Sequence, residues 1–197
     1  MATSIERHDL GLTWSETTGM RRAAHALRDG DQIWLIDPFE DPTALSAAQE
    51  LGRPAGVIQL LDRHDRDCAK IAQRLEVPRM RVQAALPQTP FEVIRVIARP
   101  WWREMALWWP EHDTLVVAEA VGTAPAFTLG RRVGVHPMLR LTPPRSALTR
   151  HQPERLFVGH GTPVQASATP ALNEALDASV SDIPQLVLKL PSLLRGG

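Results

Sequence analysis

Three short segments carry side chains that can ligate a metal or move a proton. LLDRHDRDC, Leu60–Cys68, holds Asp62, Asp65 and Asp67, the imidazole of His64 and the only cysteine of the chain. VVAEAVGT, Val116–Thr123, carries Glu119, and VGHGTPV, Val158–Val164, sets His160 between two glycines. Each follows an apolar run that reads as a strand, so each places carboxylate, imidazole or thiol groups in a loop or at a helix start. Metal chemistry there requires three or four such ligands to converge in space. No Ser-His-Asp arrangement, phosphate-cradling glycine loop or Cys-x-x-Cys motif occurs in the sequence.

The elements that must position these segments alternate in type. Gln32–Pro38 reads as a buried strand entered by the Gly30-Asp31 turn. Asp41 caps a helix, Pro42 fits its first turn and Gly52 its end. Ala55–Asp62 is a second apolar strand, and Asp65–Leu75 a helix with Cys68, Ile71, Ala72 and Leu75 on one face. VPRMRVQ is a short strand, Phe91–Arg99 a half-buried one, and Met105–Trp109 with Thr114–Ala118 a hairpin. Arg155–Gly161 is a strand running into a glycine turn, and Thr169–Val180 a helix with a Thr cap. The tail DIPQLVLKLPSLLRGG has apolar spacing but two prolines, which predicts a broken helix or a docking segment. Strand and helix units followed by a hairpin-rich middle suit a layered α/β or α+β domain with mixed sheets.

Composition bounds the rest. At 197 residues the chain fits one domain over 1–197. Lys+Arg and Asp+Glu both number 22, so there is no basic excess to bind nucleic acid. No apolar run approaches the ~20 residues of a membrane helix, and the N-terminus shows no apolar signal region. A single cysteine forms no internal disulfide, and a cytoplasmic location is expected. Oligomeric state is not set by the sequence.

The three segments, in their order and spacing, resemble the metallo-β-lactamase superfamily in its small hydrolase branch. There the first loop reads T-H-x-H-x-D-H, a later strand ends in G-D-A or G-D-T, and a late strand ends in G-H-G or G-H-E. TLVVAEAVGT, Thr114–Thr123, is similar to the second motif, LFVGHGTPV to the third, and WLIDPFEDP to an early strand that ends in Asp. The resemblance runs from about Gln32 to Val164. It implies a four-layer αβ/βα sandwich of two mixed sheets with outer helices.

It also implies a degraded metal centre. Aligning the motif Asp on Asp67 puts Arg63 and Asp65 at the first two histidines and Cys68 at the last. The mid-chain histidine falls at Trp102 and the bridging Asp becomes Glu119, while Asp67 and His160 are unchanged. Arg63 stays protonated and Trp102 offers no lone pair, so the first metal site is expected to be lost. At the second site Asp67, Cys68, Glu119 and His160 are all feasible zinc ligands. The favoured reading is an ion-pair network of Arg63 with Asp65, Asp67 or Glu119 where metals would sit. The protein would then be a non-catalytic small-molecule-binding or structural protein, with no cofactor. The alternative is a mono-zinc hydrolase using Asp67, Cys68, Glu119 and His160. Arg63, Asp65, Asp67, Trp102, Glu119 and His160 are the pocket candidates.

Other features read as structural. Cys68 sits on an apolar helix face, where a free cysteine acts as a small hydrophobe. His64 occupies a spacer position and is expected to point away from the metals, as an exposed or hydrogen-bonded loop residue. His25 and His136 read as satisfied structural histidines, His136 close enough to the mouth to touch a ligand. Of the paired tryptophans at Trp101-Trp102 and Trp108-Trp109, one of each pair packs in the core and the other lines a pocket.

Overall fold

A computed structural model describes residues 2–195. The first sheet opens with three antiparallel strands, β1 (Thr3–His8), β2 (Gly11–Glu16) and β3 (Ala23–Asp29). It continues through β4 (Gln32–Ile36), helix α1 (Pro42–Gln49), β5 (Arg53–Gln59), helix α2 (Cys68–Arg74) and β6 (Arg79–Arg81). The strand order is β1-β2-β3-β4-β5-β6, with β4, β5 and β6 parallel because a helix or loop must cross back between them. Asp41 caps α1, its Oδ1 accepting from the Ala44 amide at 2.9 Å.

The second sheet is built from β7 (Glu92–Arg99), β8 (Trp102–Trp109) and β9 (Thr114–Val117). A single 3₁₀ turn at Pro110–His112 joins β8 to β9 and ends on Asp113 at φ 45°. Next come β10 (Val121–Gly122), α3 (Pro125–Thr128), β11 (Gly134–Val135) and α4 (Arg145–Leu148). β12 (Arg155–Val158) then returns to lie parallel to β9, giving the order β12-β9-β8-β7. Helices α5 (Ala168–Asp177) and α6 (Ile183–Arg195) complete the chain.

Strand periodicity sorts the side chains into layers. Along β4, Ile33 and Leu35 face outward and pack with Ala44, Leu45, Cys68 and Ile71 of α1 and α2. Trp34 and Ile36 face inward and join Ile94, Ala106, Leu115 and Phe157 of the second sheet. Leu172 and Leu176 of α5 pack with the same inner cluster from beyond the second sheet. The result is two facing mixed sheets with helices outside, the expected αβ/βα order.

Several boundaries differ from the sequence reading. β8 begins at Trp102 rather than Met105, and α2 begins at Cys68 rather than Asp65. The tail is one continuous helix rather than a broken one: Pro184 falls in its first turn, where no backbone N–H is needed, and the helix runs on through Pro191 at the loss of one backbone hydrogen bond. The three N-terminal strands went unread. β1 is an exposed edge strand with mixed polar composition, and β3 begins AAHAL, which carries no alternating signal. Among the described residues no helix is long and apolar enough to cross a membrane.

His25 of β3 is buried between the sheets. Its Nε2 donates to the Val158 carbonyl at 3.1 Å, and its Nδ1 accepts from Thr13 Oγ1 at 2.8 Å. Burial holds its pKa at about 3, far below the ordinary value of 6.5. The unfolded chain therefore takes up a proton near pH 6.5 that the native state refuses until about pH 3. This contribution to stability is complete above pH 6.5 and is lost as the pH falls toward 3. His25→Gln should flatten the decline of urea-unfolding free energy between pH 6.5 and 4, although it lowers stability at pH 7.

Candidate metal site

Three strand ends meet at one edge of the two sheets. The loop after β5 brings His64, the end of β9 brings Glu119, and the end of β12 brings His160. One ligand atom from each of these three residues lies within 4.8 Å of the others. The adjacency of Glu119 and His160 follows from the backbone. β9 and β12 run in register, with Val117 beside Val158. They close so tightly that a Cβ on Gly159 would stand 2.1 Å from the Ala118 carbonyl oxygen. Gly161, at φ 106°, supplies the backbone conformation that turns the chain away.

Each imidazole is held by an oxygen on its far side. The Asp37 carboxylate lies 3.1 Å from His64 Nδ1, and the Met20 carbonyl lies 3.0 Å from His160 Nδ1. Both acceptors require Nδ1 to carry the proton, which leaves the lone pair of each ring on Nε2. His160 Nε2 is 3.7 Å from Glu119 Oε1 and is buried with no hydrogen-bond partner. His136 differs: its Nδ1 accepts from the Met138 amide at 3.2 Å, so its proton is on Nε2, 3.9 Å from Glu119 Oε1. It faces the carboxylate as a donor rather than as a ligand.

Burial and the nearby Arg66 cation keep these imidazoles neutral. His160 is pushed down to about 3, and His64 is lowered by burial first and by Arg66 second. Arg66 is itself half-buried, donating to the carbonyls of Ala23 (2.6 Å), Asp37 (2.7 Å) and Gly159 (3.1 Å). Beneath Glu119 lies Glu104, fully buried on β8. Its Oε1 accepts from the Glu119 and Ala120 amides, each at 2.9 Å, and its Oε2 from Trp102 Nε1 at 3.0 Å. Burial raises its pKa to about 7 against the pull of those three donors.

The structure brings some of the candidate residues together and leaves others apart. Arg63 lies with its Nη2 2.6 Å from Glu119 Oε2 and its guanidinium 4.2 Å above the buried Trp102 ring. Arg63, Trp102, Glu119 and His160 therefore share one locale. Asp65 does not join them; its side chain is 71% exposed and pairs with Arg79. Asp67 turns the other way, accepting from the Glu40 amide at 2.8 Å. Cys68 is sealed under α2 in the outer apolar layer, and burial drives its thiol up to about 12. Asp67 and Cys68 are thus not brought to Glu119 and His160.

His64, expected to point away, points in. A turn in which the His64 amide donates to the Leu61 carbonyl at 3.0 Å and the φ of 41° at Arg66 rotate the loop. The spacer imidazole thereby takes the inward place, and Asp65 faces solvent. Asp37 is the strand-ending Asp of WLIDPFEDP, a signal that the sequence carries, whereas Arg66 and Glu104 carry no motif.

No family model matches the sequence, and no curated protein matches it. Solved structures do match by shape. The DIM-1 metallo-β-lactamase exposed to ceftazidime aligns at TM-score 0.61 and 12% identity, covering 92% of this chain and 98% of that one. A metallo-β-lactamase from Erythrobacter litoralis aligns at TM-score 0.62 and 10% identity, covering 91% and 92%. The chain has the metallo-β-lactamase fold. At this identity the likeness carries the architecture alone. Within that metallo-β-lactamase fold, the strand ends of β5, β9 and β12 are where this chain gathers its His-Glu-His group.

Glu104 is the support on which Glu119 rests. Glu104→Ala would leave two buried amides and an indole N–H unpaired and should cost about 3–5 kcal/mol. Glu104→Gln keeps an acceptor for the amides but turns a donor toward Trp102 or the amides, costing about 1–3 kcal/mol. Urea titration at pH 7.5 measures both.

Proposed function

We propose that this metallo-β-lactamase-fold chain is a one-metal hydrolase. In this reading the two-metal centre is reduced to a single cation pocket formed by His64, Glu119 and His160. The observation that carries it is the buried, unpartnered Nε2 of His160. That lone pair faces a carboxylate and sits beside a second imidazole in the same tautomer. A metal-binding histidine commonly donates its other N–H to a carboxylate or carbonyl, as His64 does to Asp37 and His160 to Met20. Two imidazoles and one carboxylate match the three-ligand set of catalytic zinc sites, and neutral imidazoles suit a cation.

Zinc bound there would supply a Lewis acid that lowers the pKa of a coordinated water. The chain's own groups do the rest. Asp37 and the Met20 carbonyl fix the tautomers, and Glu104 fixes the backbone beneath Glu119. Trp102 and Phe127, both buried, wall the imidazoles of His136 and His160 from water. Support for loss of a first metal site is the guanidinium of Arg63 over Trp102, at positions where that site would need histidines.

A second reading has its own observation. Arg63 already neutralises Glu119, and with Arg66 it balances the charges of Asp37 and Glu119. In that case the chain is a metal-free binding protein, and Arg63 stands in for the cation.

Zinc calorimetry with metal analysis of the purified protein separates the two readings. The one-metal reading expects one equivalent bound, with His160→Ala and His64→Ala each weakening uptake by about 100-fold or more, beyond the loss typical for an outer partner. Cys68→Ser and Asp67→Asn should leave the affinity unchanged. No uptake, or uptake indifferent to His160→Ala, establishes the metal-free reading instead.

A further inference from the structure

A cavity of 540 Å³ opens at the edge of the first sheet opposite the candidate metal site. Strands β4 and β5 run parallel, and Asp37 and His64 follow their C-terminal ends, whereas Gln32 and Arg53, which line the cavity, begin them. The volume is that of an ordinary small-ligand site, about 300–1,000 Å³. The floor is made by buried Trp34 and half-buried Met80. A Cβ on Gly56 would stand 2.6 Å from Met80 Cε and 2.9 Å from Trp34 Cζ3, so glycine there lets both side chains close on the β5 backbone. Trp34 Nε1 is buried with no hydrogen-bond partner, an unmet donor of a kind that native interiors seldom keep. The rim is rich in carboxamides. Gln32, Gln83 and Gln88 line it, and none makes a side-chain hydrogen bond among the described residues. Arg53 and Glu76 line it as well, both exposed and without an ion pair among the described residues, and their charges cancel.

We infer that this cavity binds a neutral, flat heterocycle of nucleobase size, its apolar face against Trp34 and Met80 and its polar edge against the glutamines. The inference is independent of the hydrolase reading, because the cavity shares no residue with the His-Glu-His group. An indole and a thioether both favour contact with an aromatic ring. A carboxamide sets a donor beside an acceptor in one plane, so it matches a ring edge that does the same, as glutamine matches adenine. A fatty chain would cover the floor and leave three carboxamides unused. A sugar would engage the carboxamides but bring no flat apolar face. An anion would gain from Arg53 and lose to Glu76, so a rim of zero net charge suits a neutral ligand.

The probe is adenosine, titrated by calorimetry into the full chain. Purine riboside, which lacks the exocyclic amine, and adenosine monophosphate are the controls. One adenosine should bind saturably. Purine riboside should bind about fivefold more weakly, the worth of one neutral hydrogen bond, and the monophosphate no more tightly than adenosine. Gln83→Ala, at an exposed position without a partner among the described residues, should weaken adenosine about fivefold and leave the urea-unfolding midpoint unchanged. Met80→Ala should weaken both nucleosides alike, by about tenfold, because it removes floor that both would cover. Amide NMR locates the ligand, with shifts expected in residues 53–56 and 76–89 around the cavity. The inference is overturned by an absence of saturable binding, or by equal affinity of the two nucleosides or of wild type and Gln83→Ala. Tighter binding of the monophosphate, or shifts confined to the loops of His64, Glu119 and His160, overturns it as well.

Discussion

The guanidinium of Arg66 is the constraint on which the site depends. It is half-buried without a carboxylate in hydrogen-bond contact and is held by the carbonyls of Ala23, Asp37 and Gly159. Those carbonyls lie at the start of β3, just beyond β4 and just beyond β12, so one planar cation ties strand ends of both sheets. Its two Nη groups are met by these three carbonyls while its Nε has no acceptor among the described residues, so separating the three segments would leave the rest of the charge unpaired as well. The loop accommodates this by placing Arg66 at a left-handed φ of 41°, a local strain that an arginine accepts in exchange for the carbonyl contacts. Burial lowers the proton affinity of His64 and His160 and the same cation lowers it further, so the interaction that joins the sheets adds to the neutrality of the pocket.

Glu104 is its counterpart on the second sheet. Its carboxylate bridges the β8 indole of Trp102 and the amides that begin the loop after β9. Three N–H donors would ordinarily pull a carboxyl well down, yet burial outweighs them and raises it to about 7. The Glu119 carboxylate nearby adds to the rise. Two acidic groups one layer apart thus play different parts: Glu104 shapes backbone, and Glu119 faces the imidazoles.

The middle and end of the fold were legible because their signals are local. The Asp41-Pro42 cap, the apolar run of β4 and β5, the alternation of β7 and the glycine turn after β12 each specify their element within a few residues. β1 to β3 carry no such signal. β1 is an exposed edge whose pairing is set only by β2, and the alanines of β3 are chosen by close packing on the far side of the sheet. The site divides in the same way. Glu119 and His160 follow strands whose register fixes their direction, so a reading by spacing reaches them. The loop of His64 turns on the φ of Arg66 and on an acceptor, Asp37, 27 residues away in sequence. A shift of the inward position by one residue, from Asp65 to His64, cannot be read from spacing when the turn that causes it is stabilised by contacts distant in the chain.

The pocket also lies across a seam. His160 and Glu119 belong to the second sheet, while the groups that orient the imidazoles, Met20 and Asp37, belong to the first. An isolated bridge between Arg22 and His160 extends the contact along the backbone. The distances within the His-Glu-His group are therefore set by how the two sheets pack, not by any one element. Packing of this kind is bistable rather than compliant, because close-packed interiors resist small displacements. A pocket built across such a seam gains rigidity from the core it interrupts. Its donor atoms are held apart even though His160 Nε2 is left without a partner, which a flexible loop would relieve by turning the ring to water. Retention of that orphaned atom follows from the geometry: His160 is held by its own backbone bridge to Arg22, by the Met20 carbonyl and by the stacked ring of Phe127, contacts that turning the ring to water would break.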